Sequence, residues 1–337
     1  MPKISVLMSV FNDEDYIKEA IYSLIHQTYQ DFEIIIIDDG SVDQTASIIS
    51  SIKDPRIKLY KNKTNEGLTK NLNKAWDLSK GDLIARMDGD DISSSRRFEK
   101  QVSFFEQNKD ISLLGCNSKN IGANKKNKSA AANHEELKCS LFLRVPFPHS
   151  GVMLRKEDFD NIGMKYDEDF KYAQDFDLWV RASRVLKFYK LPEVLLEYRI
   201  HEGQASSIHR SKGSTFDLMV RKNQVDELGI HYSEEILKLY NKALSSSKSL
   251  LSLNELQTLD TFYCEIIDQN NKKGLYDKET FKNKLGESFR IICIQQLLQK
   301  SKNGKYFRES NISKKYKANN SDKLKMMFLG LLSKNTN

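Results

Sequence analysis

Four consecutive isoleucines, Ile34 to Ile37, run directly into Asp38-Asp39-Gly40. A strand with one wet face alternates apolar and polar residues, whereas an unbroken apolar run reads as a strand covered on both faces. The neighbouring segments supply the covers. Ile4 to Val10 reads as another buried strand, and Asp13 to His26 carries helical apolar spacing at Ile17, Ala20, Ile21, Leu24 and Ile25. Helices are expected over Val42 to Ile52 and Leu68 to Leu78, and strands over Ile57 to Tyr60 and Leu83 to Met87. Strands alternating with helices imply an α/β fold with a mostly parallel sheet and right-handed crossovers.

In such a sheet, ligands lie beyond the carboxyl ends of the strands. Three polar clusters fall there: Ser9-Val-Phe11-Asn12, Asp38-Asp39-Gly40-Ser41 and Asp88-Gly89-Asp90-Asp91. Further on, Phe98 to Gln107 is helical, Ile111 to Gly115 is a strand, and Asn117 to Asn133 reads as a loop or ragged hairpin. His149 to Arg155 is expected as a strand, Ala173 to Leu186 as an amphipathic helix, and Glu193 to Ile200 as an extended segment ending at His201. From about Ser211 the pattern is helical. The expected division is a domain of residues 1–210 and a mainly helical region of 211–337, with a basic tail over 301–337.

Composition removes several classes. With 39% hydrophobic residues and plentiful Phe and Tyr, disorder is not the dominant state. No apolar run approaches the ~18–20 residues that span a bilayer. The N-terminus lacks a secretory pattern, and the four cysteines form no CxxC pair, so a reduced cytosolic chain is expected. The formal net charge of +7 is local: residues 301–337 hold nine Lys or Arg against two Asp or Glu, while the rest nearly balances. A nucleic-acid binder spreads its basic surface differently. Within the tail, Leu324 to Leu332 is apolar between lysines. It suits either an anionic membrane surface or docking on protein. No GxGxxG follows a strand and no GxxxxGK[ST] occurs.

The chemistry-bearing residues each admit two readings. Three carboxylates in Asp88-Gly89-Asp90-Asp91 repel one another unless a cation or a bound proton relieves them. Their hard oxygens select Mg2+ or Mn2+ over zinc. The other reading is an acidic loop before a helix. Either Asp39 or Ser41 is a helix N-cap, or Asp39 is a carboxylate reading a base or ribose. Asp175, in Gln174-Asp175-Phe176-Asp177-Leu178-Trp179, either favours its helix N-terminus or serves as a general base. Asp177 reads as a surface or capping carboxylate, and Trp179 as core. His201 ends a strand, which favours a ligand role. His209 follows in the same segment.

Taken together, these motifs resemble family-2 glycosyltransferases of GT-A fold. The match runs through Ser5 to Asn12, Gln27-Thr28-Tyr29, Asp38 to Thr45, Asn65-Glu66-Gly67 with Asn71, Gly81 to Asp91, and Gln174 to Trp179. It covers about residues 3–205. Tyr198 to His209 further resembles the lipooligosaccharide and capsular polysaccharide N-acetylglucosaminyltransferases of that family.

The resemblance implies roles. Ser9 and Phe11 would line a uracil pocket and Asp39 would read the base, with Asn65, Gly67, Asn71 and Arg86 in the nucleotide-sugar site. Asp88 would touch ribose; Asp90, then Asp91, would bind the metal, completed by His201. His149, Ser150 and Gly151 would face the donor sugar, and Asp175 would be the catalytic base. One departure is Gln174, where the family commonly has Glu.

The implied reaction is inverting and uses Mn2+ or Mg2+. A sugar moves from a UDP-sugar, with N-acetylglucosamine first and galactose or glucose behind it, to a hydroxyl of a bacterial surface glycan, free or lipid-linked. The place of work would be the cytoplasm, at the inner face of the membrane. A second copy of the chain is a candidate partner; nucleic acid is not. Two rivals remain at this point: a sugar-1-phosphate nucleotidyltransferase, which lacks its usual glycine-rich N-terminal loop here, and a non-catalytic glycan-binding or scaffold protein. The rivals and the transferase differ in whether pyrophosphate, nothing or UDP is released.

Overall fold

The structure, a computed structural model, describes residues 1–121, 130–201, 203–204, 210–245, 249–299 and 301–316. Within these the chain forms two compact units. The first comprises Met1–Leu137 and Val145–Gly213, the second Lys138–Arg144 and the chain from Ser214.

In the first unit, eight strands form one sheet: β1 (Ile4–Val10), β2 (Phe32–Asp38), β3 (Ile57–Lys61), β4 (Leu83–Arg86), β5 (Ile92–Ser93), β6 (Leu113–Ile121), β7 (Met153–Arg155) and β8 (Phe188–Arg199). Their order is β3-β2-β1-β4-β7-β6-β8-β5. The isoleucine run behaves as its pattern requires. All seven residues of β2 are buried, and β2 pairs in parallel with β1 on one side and β3 on the other. β4 continues the parallel half beside β1, after which β7 runs antiparallel to both β4 and β6. The sheet is therefore mixed, with its parallel half where the strand–helix alternation lies.

Helices α1 (Ile17–Ile25), α2 (Thr45–Ser51), α3 (Leu68–Leu78) and α4 (Arg97–Gln107) carry the crossovers, followed by α5 (His134–Leu141), α6 (Lys156–Asp160) and α7 (Gln174–Ala182). Ile17, Ala20, Ile21 and Leu24 form the buried face of α1, as the spacing predicted. They pack with Val6, Met8, Ile34 and Ile36 in one core. Register sets the site's location. Val10 faces Asp38, and Leu7 faces Arg86, so the three polar clusters leave the sheet along one edge.

Two local expectations are corrected. Asn117 to Ile121 is not loop but the second half of β6; its polar side chains are tolerated because β8 pairs with this stretch in parallel, through a bulge at Gly115/Asn117. Residues 122–129 lie outside the described residues. His149 to Arg155 is not one strand: His149–Gly151 is a 3-10 turn and only Met153–Arg155 is extended. The turn closes through a hydrogen bond from the Gly151 N–H to the Pro148 carbonyl, 3.0 Å.

The second unit is helical: α8 (Arg210–Leu228), α9 (Glu234–Ser245), α10 (Leu253–Lys273), α11 (Lys278–Leu298) and α12 (Asn311–Lys315). α10 opens with a capping box between Ser252 and Glu255 and ends on Gly274 in the left-handed region. Buried side chains hold the Lys138–Arg144 segment. Gln224, Tyr240 and Arg221 donate to the carbonyls of Leu141, Phe142 and Leu143. The start of the expected tail is folded. Asp260, fully buried, accepts the Tyr306 hydroxyl and the backbone N–H groups of Asn311 and Ile312. The stretch Leu324 to Leu332 lies outside the described residues, as does His209. Among the described residues no helix is long and apolar enough to cross a membrane.

Candidate active site

The first wall of the site comes from the ends of β1, β2 and β3. Phe11, just past β1, leaves 45% of its surface exposed, which suits a face for a flat ligand. Asn12 takes φ 54°, and its side chain steadies that turn by accepting from the Val42 N–H at 3.0 Å. Asp39 is 3% exposed. It does not cap a helix, because α2 begins only at Thr45 and no side chain caps it. Instead its Oδ1 accepts from Asn62 Nδ2 (2.9 Å) and the Glu66 N–H (2.8 Å), and its Oδ2 accepts from the Gly67 N–H (2.9 Å). Asn71, fully buried, joins this group to Ser9: its Oδ1 accepts from Asn62 and its Nδ2 donates to Ser9 Oγ at 3.1 Å. Asn65 is exposed on the same loop, and Gly67 takes φ 93° to start α3.

The second wall is the acidic turn after β4. Ligand atoms of Asp88, Asp90 and Asp91 lie within 4.8 Å of one another. Each has a different setting. Asp88 pairs with the buried Arg86 guanidinium and accepts the Ser150 hydroxyl at 2.5 Å. Asp90 Oδ2 meets His201 Nε2 at 3.0 Å, and the His201 ring lies 4.7 Å from that of Tyr16. Asp91 is 1% exposed; its Oδ1 accepts the Arg199 N–H at 2.9 Å, while its Oδ2 is buried without a hydrogen-bond partner. Burial and the Asp88 charge push the Asp91 carboxyl up to about 7. Asp13 is likewise pushed up to about 7, by burial and by Asp90. An unpartnered buried carboxylate oxygen beside two further carboxylates and an imidazole fits a hard divalent cation, which would supply the missing partner.

The third wall is the 3-10 turn with the start of α7. Gly151 is required by packing: a Cβ there would stand 2.8 Å from Cys116 Sγ. His149 Nε2 lies 2.7 Å from the Tyr166 hydroxyl, and desolvation together with the Arg86 cation holds the imidazole well below 6.5, hence neutral. Burial raises the Tyr166 phenol, and the charges of Asp175 and Asp88 add to that. Asp175 is half-buried in the first turn of α7, directly after Ala173 at φ 55°. An alanine in the left-handed region costs about 1–2 kcal/mol, and such strain concentrates at functional sites. Asp177 is buried and bound to Arg181 at 2.8 Å, and Trp179 is fully buried, so both belong to the structure of the helix.

Several site residues were not anticipated. Asn62 directly follows β3, so the strand-end rule applied to a third parallel strand would have found it. Asp13 fills the space a side chain at position 89 would need, its Oδ2 standing 2.6 Å from a Cβ there, which explains the glycine inside the acidic motif. Arg199 bonds the Asp90 carbonyl through Nε at 2.8 Å and the Glu19 carboxylate at 2.6 Å. That pairing joins sites far apart in sequence and leaves no local signal.

Comparison with known proteins bears on this arrangement. Solved structures of similar shape include S. aureus TarS 1-349 in complex with UDP-GlcNAc (TM-score 0.58, 18% identity, 92% of this chain and 88% of that one). Another is the mannosyltransferase PcManGT from Pyrobaculum calidifontis in complex with GDP-Man and Mn2+ (TM-score 0.56, 12% identity, 99% and 88%). The fold is the GT-A fold of glycosyltransferases. Residues 5–163 match the profile described as glycosyl transferase family 2. An uncharacterized glycosyltransferase of Haemophilus influenzae is 30% identical over 273 residues, 73% of this chain and 84% of its own length. The Escherichia coli O-antigen biosynthesis glycosyltransferase WbnJ is 33% identical over 211 residues, 59% and 80%. The chain belongs to glycosyltransferase family 2 and is a glycosyltransferase.

Proposed function

We propose that the enzyme transfers a sugar, N-acetylglucosamine before galactose or glucose, from a UDP-sugar to a hydroxyl of a bacterial surface glycan, with inversion. The observation that carries this reading is the acidic turn: three carboxylates at the strand edge, with the Asp91 Oδ2 unpartnered and His201 on Asp90. Asp88 is committed to Arg86 and Ser150, which leaves Asp90, Asp91 and His201 to hold Mn2+ or Mg2+. A divalent cation bound there supplies positive charge against the leaving diphosphate.

The chain's own residues carry the remaining steps. Phe11, Ser9 and Asp39 hold the base. The neutral His149 and Ser150 face the donor sugar. Asp175 takes the proton of the acceptor hydroxyl, whose oxygen attacks the anomeric carbon opposite the diphosphate, so one displacement inverts configuration. The TarS complex with UDP-GlcNAc and the O-antigen role named for WbnJ support the donor and acceptor classes. Contact with an anionic membrane surface through residues 301–337, work at the inner face of the membrane and self-association belong to the same proposal. Lys314 and Lys315 lie in the folded part of that stretch. The test is incubation with a panel of radiolabelled UDP-sugars and glycan acceptors. UDP release with labelled glycan is the expected result; no turnover with any UDP-sugar, or pyrophosphate release from a parallel incubation with UTP and a sugar 1-phosphate, overturns the reading.

A further inference from the structure

The group around Asp39 has a direction that its members impose on one another. Lys74 Nζ donates to Asn62 Oδ1 at 2.8 Å, and Asn62 Nδ2 faces Asp39 Oδ1 at 2.9 Å. An ammonium only donates and an ionised carboxylate only accepts. The Asn62 amide therefore has one workable orientation, since the reverse would set NH2 against NH3+ and oxygen against carboxylate. Its second N–H goes to Asn71 Oδ1 at 2.8 Å, which turns the Asn71 NH2 toward Ser9 Oγ at 3.1 Å. Ser9 accepts there, so its own proton points elsewhere and the hydroxyl is a donor to whatever enters.

Asp39 is constrained in the same way. A carboxylate offers about four acceptor positions. Asn62 and the Glu66 N–H use two on Oδ1, and the Gly67 N–H uses one on Oδ2. One remains, on Oδ2. The pocket thus presents one donor and one acceptor. That pair complements a carbonyl beside a single ring N–H, which is the edge of uracil. Cytosine seated in the same place puts an amine where uracil has its carbonyl and a ring acceptor where uracil has its N–H, so it is mismatched at both points. Guanine also offers a carbonyl beside a ring N–H, so this pair separates uracil from cytosine and not from guanine.

We propose that Lys74, together with Asp39 and acting through Asn62 and Asn71, is a positioning residue that holds the donor sense of Ser9 and thereby favours uracil over cytosine. The proposal rests on the reading of Asp39 as the base carboxylate. Lys74 is exposed, so its replacement leaves the core untouched. The experiment is calorimetry of UDP, CDP and GDP binding to the full chain with Mn2+, for the wild type, Lys74→Met and Lys74→Arg. The wild type is expected to prefer UDP. Lys74→Met should narrow the UDP-to-CDP ratio by about 5- to 10-fold, the effect of one hydrogen bond, and Lys74→Arg should restore it. A general loss of nucleotide affinity would leave the ratio unmoved. An unchanged ratio in Lys74→Met overturns the relay while the base reading stands. A wild type that binds UDP and CDP alike overturns the base reading and the relay with it.

Discussion

Gly151→Ala tests how the 3-10 turn His149–Gly151 is held. Gly151 does not use the left-handed region, so alanine brings no backbone strain and the whole effect is steric. The new methyl would meet Cys116 Sγ at 2.8 Å and Pro148 Cγ at 3.1 Å. Non-bonded heavy atoms settle at about 3.5–4.0 Å, so the overlap with sulfur is close to ~1 Å. Cys116 is fully buried and its Sγ lies 3.5 Å from the Gly151 carbonyl, so it has little freedom to yield. Overpacking of this kind costs about 1–3 kcal/mol, which in a unit of this size lowers the melting temperature by ~4–8 °C for ~2 kcal/mol. The turn should also shift, and with it the Ser150 bond to Asp88. Thermal unfolding and UDP-sugar hydrolysis should therefore fall together.

Cys116→Ala supplies the control. Alone it removes one sulfur and costs about 1 kcal/mol. Combined with Gly151→Ala it removes the nearer collision, so the pair should be more stable than the two single effects added, by about 1 kcal/mol or more. A double variant as unstable as that addition, or a Gly151→Ala that melts with the wild type, would refute the account of why this position is glycine.

The remaining predictions concern the reaction and the acid limit of the fold. Asp175→Asn should lower transfer by about 10²- to 10⁴-fold while calorimetric UDP binding persists; full transfer would sink the base assignment. Chelating divalent cations should weaken UDP binding by at least ~10-fold, and equal affinity with and without chelator would count against the metal site. Glu33 is buried, which alone would raise its carboxyl, but bonds from Lys58, Ser5 and the Lys80 N–H outweigh burial and hold it below 4.5. A depressed carboxylate contributes stability above its unfolded value that is lost as pH falls through the folded one. Glu33→Gln should thus cost about 1–2 kcal/mol near neutrality, with the gap to wild type closing below about pH 4.5; a gap that stays constant to the acid limit would contradict this.

How much was legible from the chain alone depended on how local each signal was. The ends of β1, β2 and β4 were readable because burial on both faces leaves an apolar run, and Asp and Gly interrupt it where the strand meets the ligand edge. Asp39 was ambiguous because a cap and a base reader look alike in sequence. The structure removes the cap reading, because the three residues between Ser41 and Thr45 carry α2 away from the carboxylate. Asn117 to Ile121 was misread because its polar residues are extended only by pairing with β8, more than 70 positions away. The partners of Lys138–Arg144 come from α8 and α9, and nothing in that short segment announces them.

A related contrast sets the site against particular places elsewhere in the chain. Away from the site, Arg155 gives its guanidinium to the carbonyls of Phe105, Asn108 and Ile111, and Asp260 accepts three donors. Along the ligand edge the non-glycine residues of positive φ, among the described residues, are Asn12 and Ala173, and Asp91 keeps a bare buried oxygen. Such departures destabilise the folded chain, and a closely packed core beneath them offsets the cost. On the proposed function, a fold that satisfied every atom at this edge would have no acceptor left for a cation on Asp91, and none on Asp39 for a base. On that reading, the incompleteness of the edge is the structural form that binding takes before the ligand arrives.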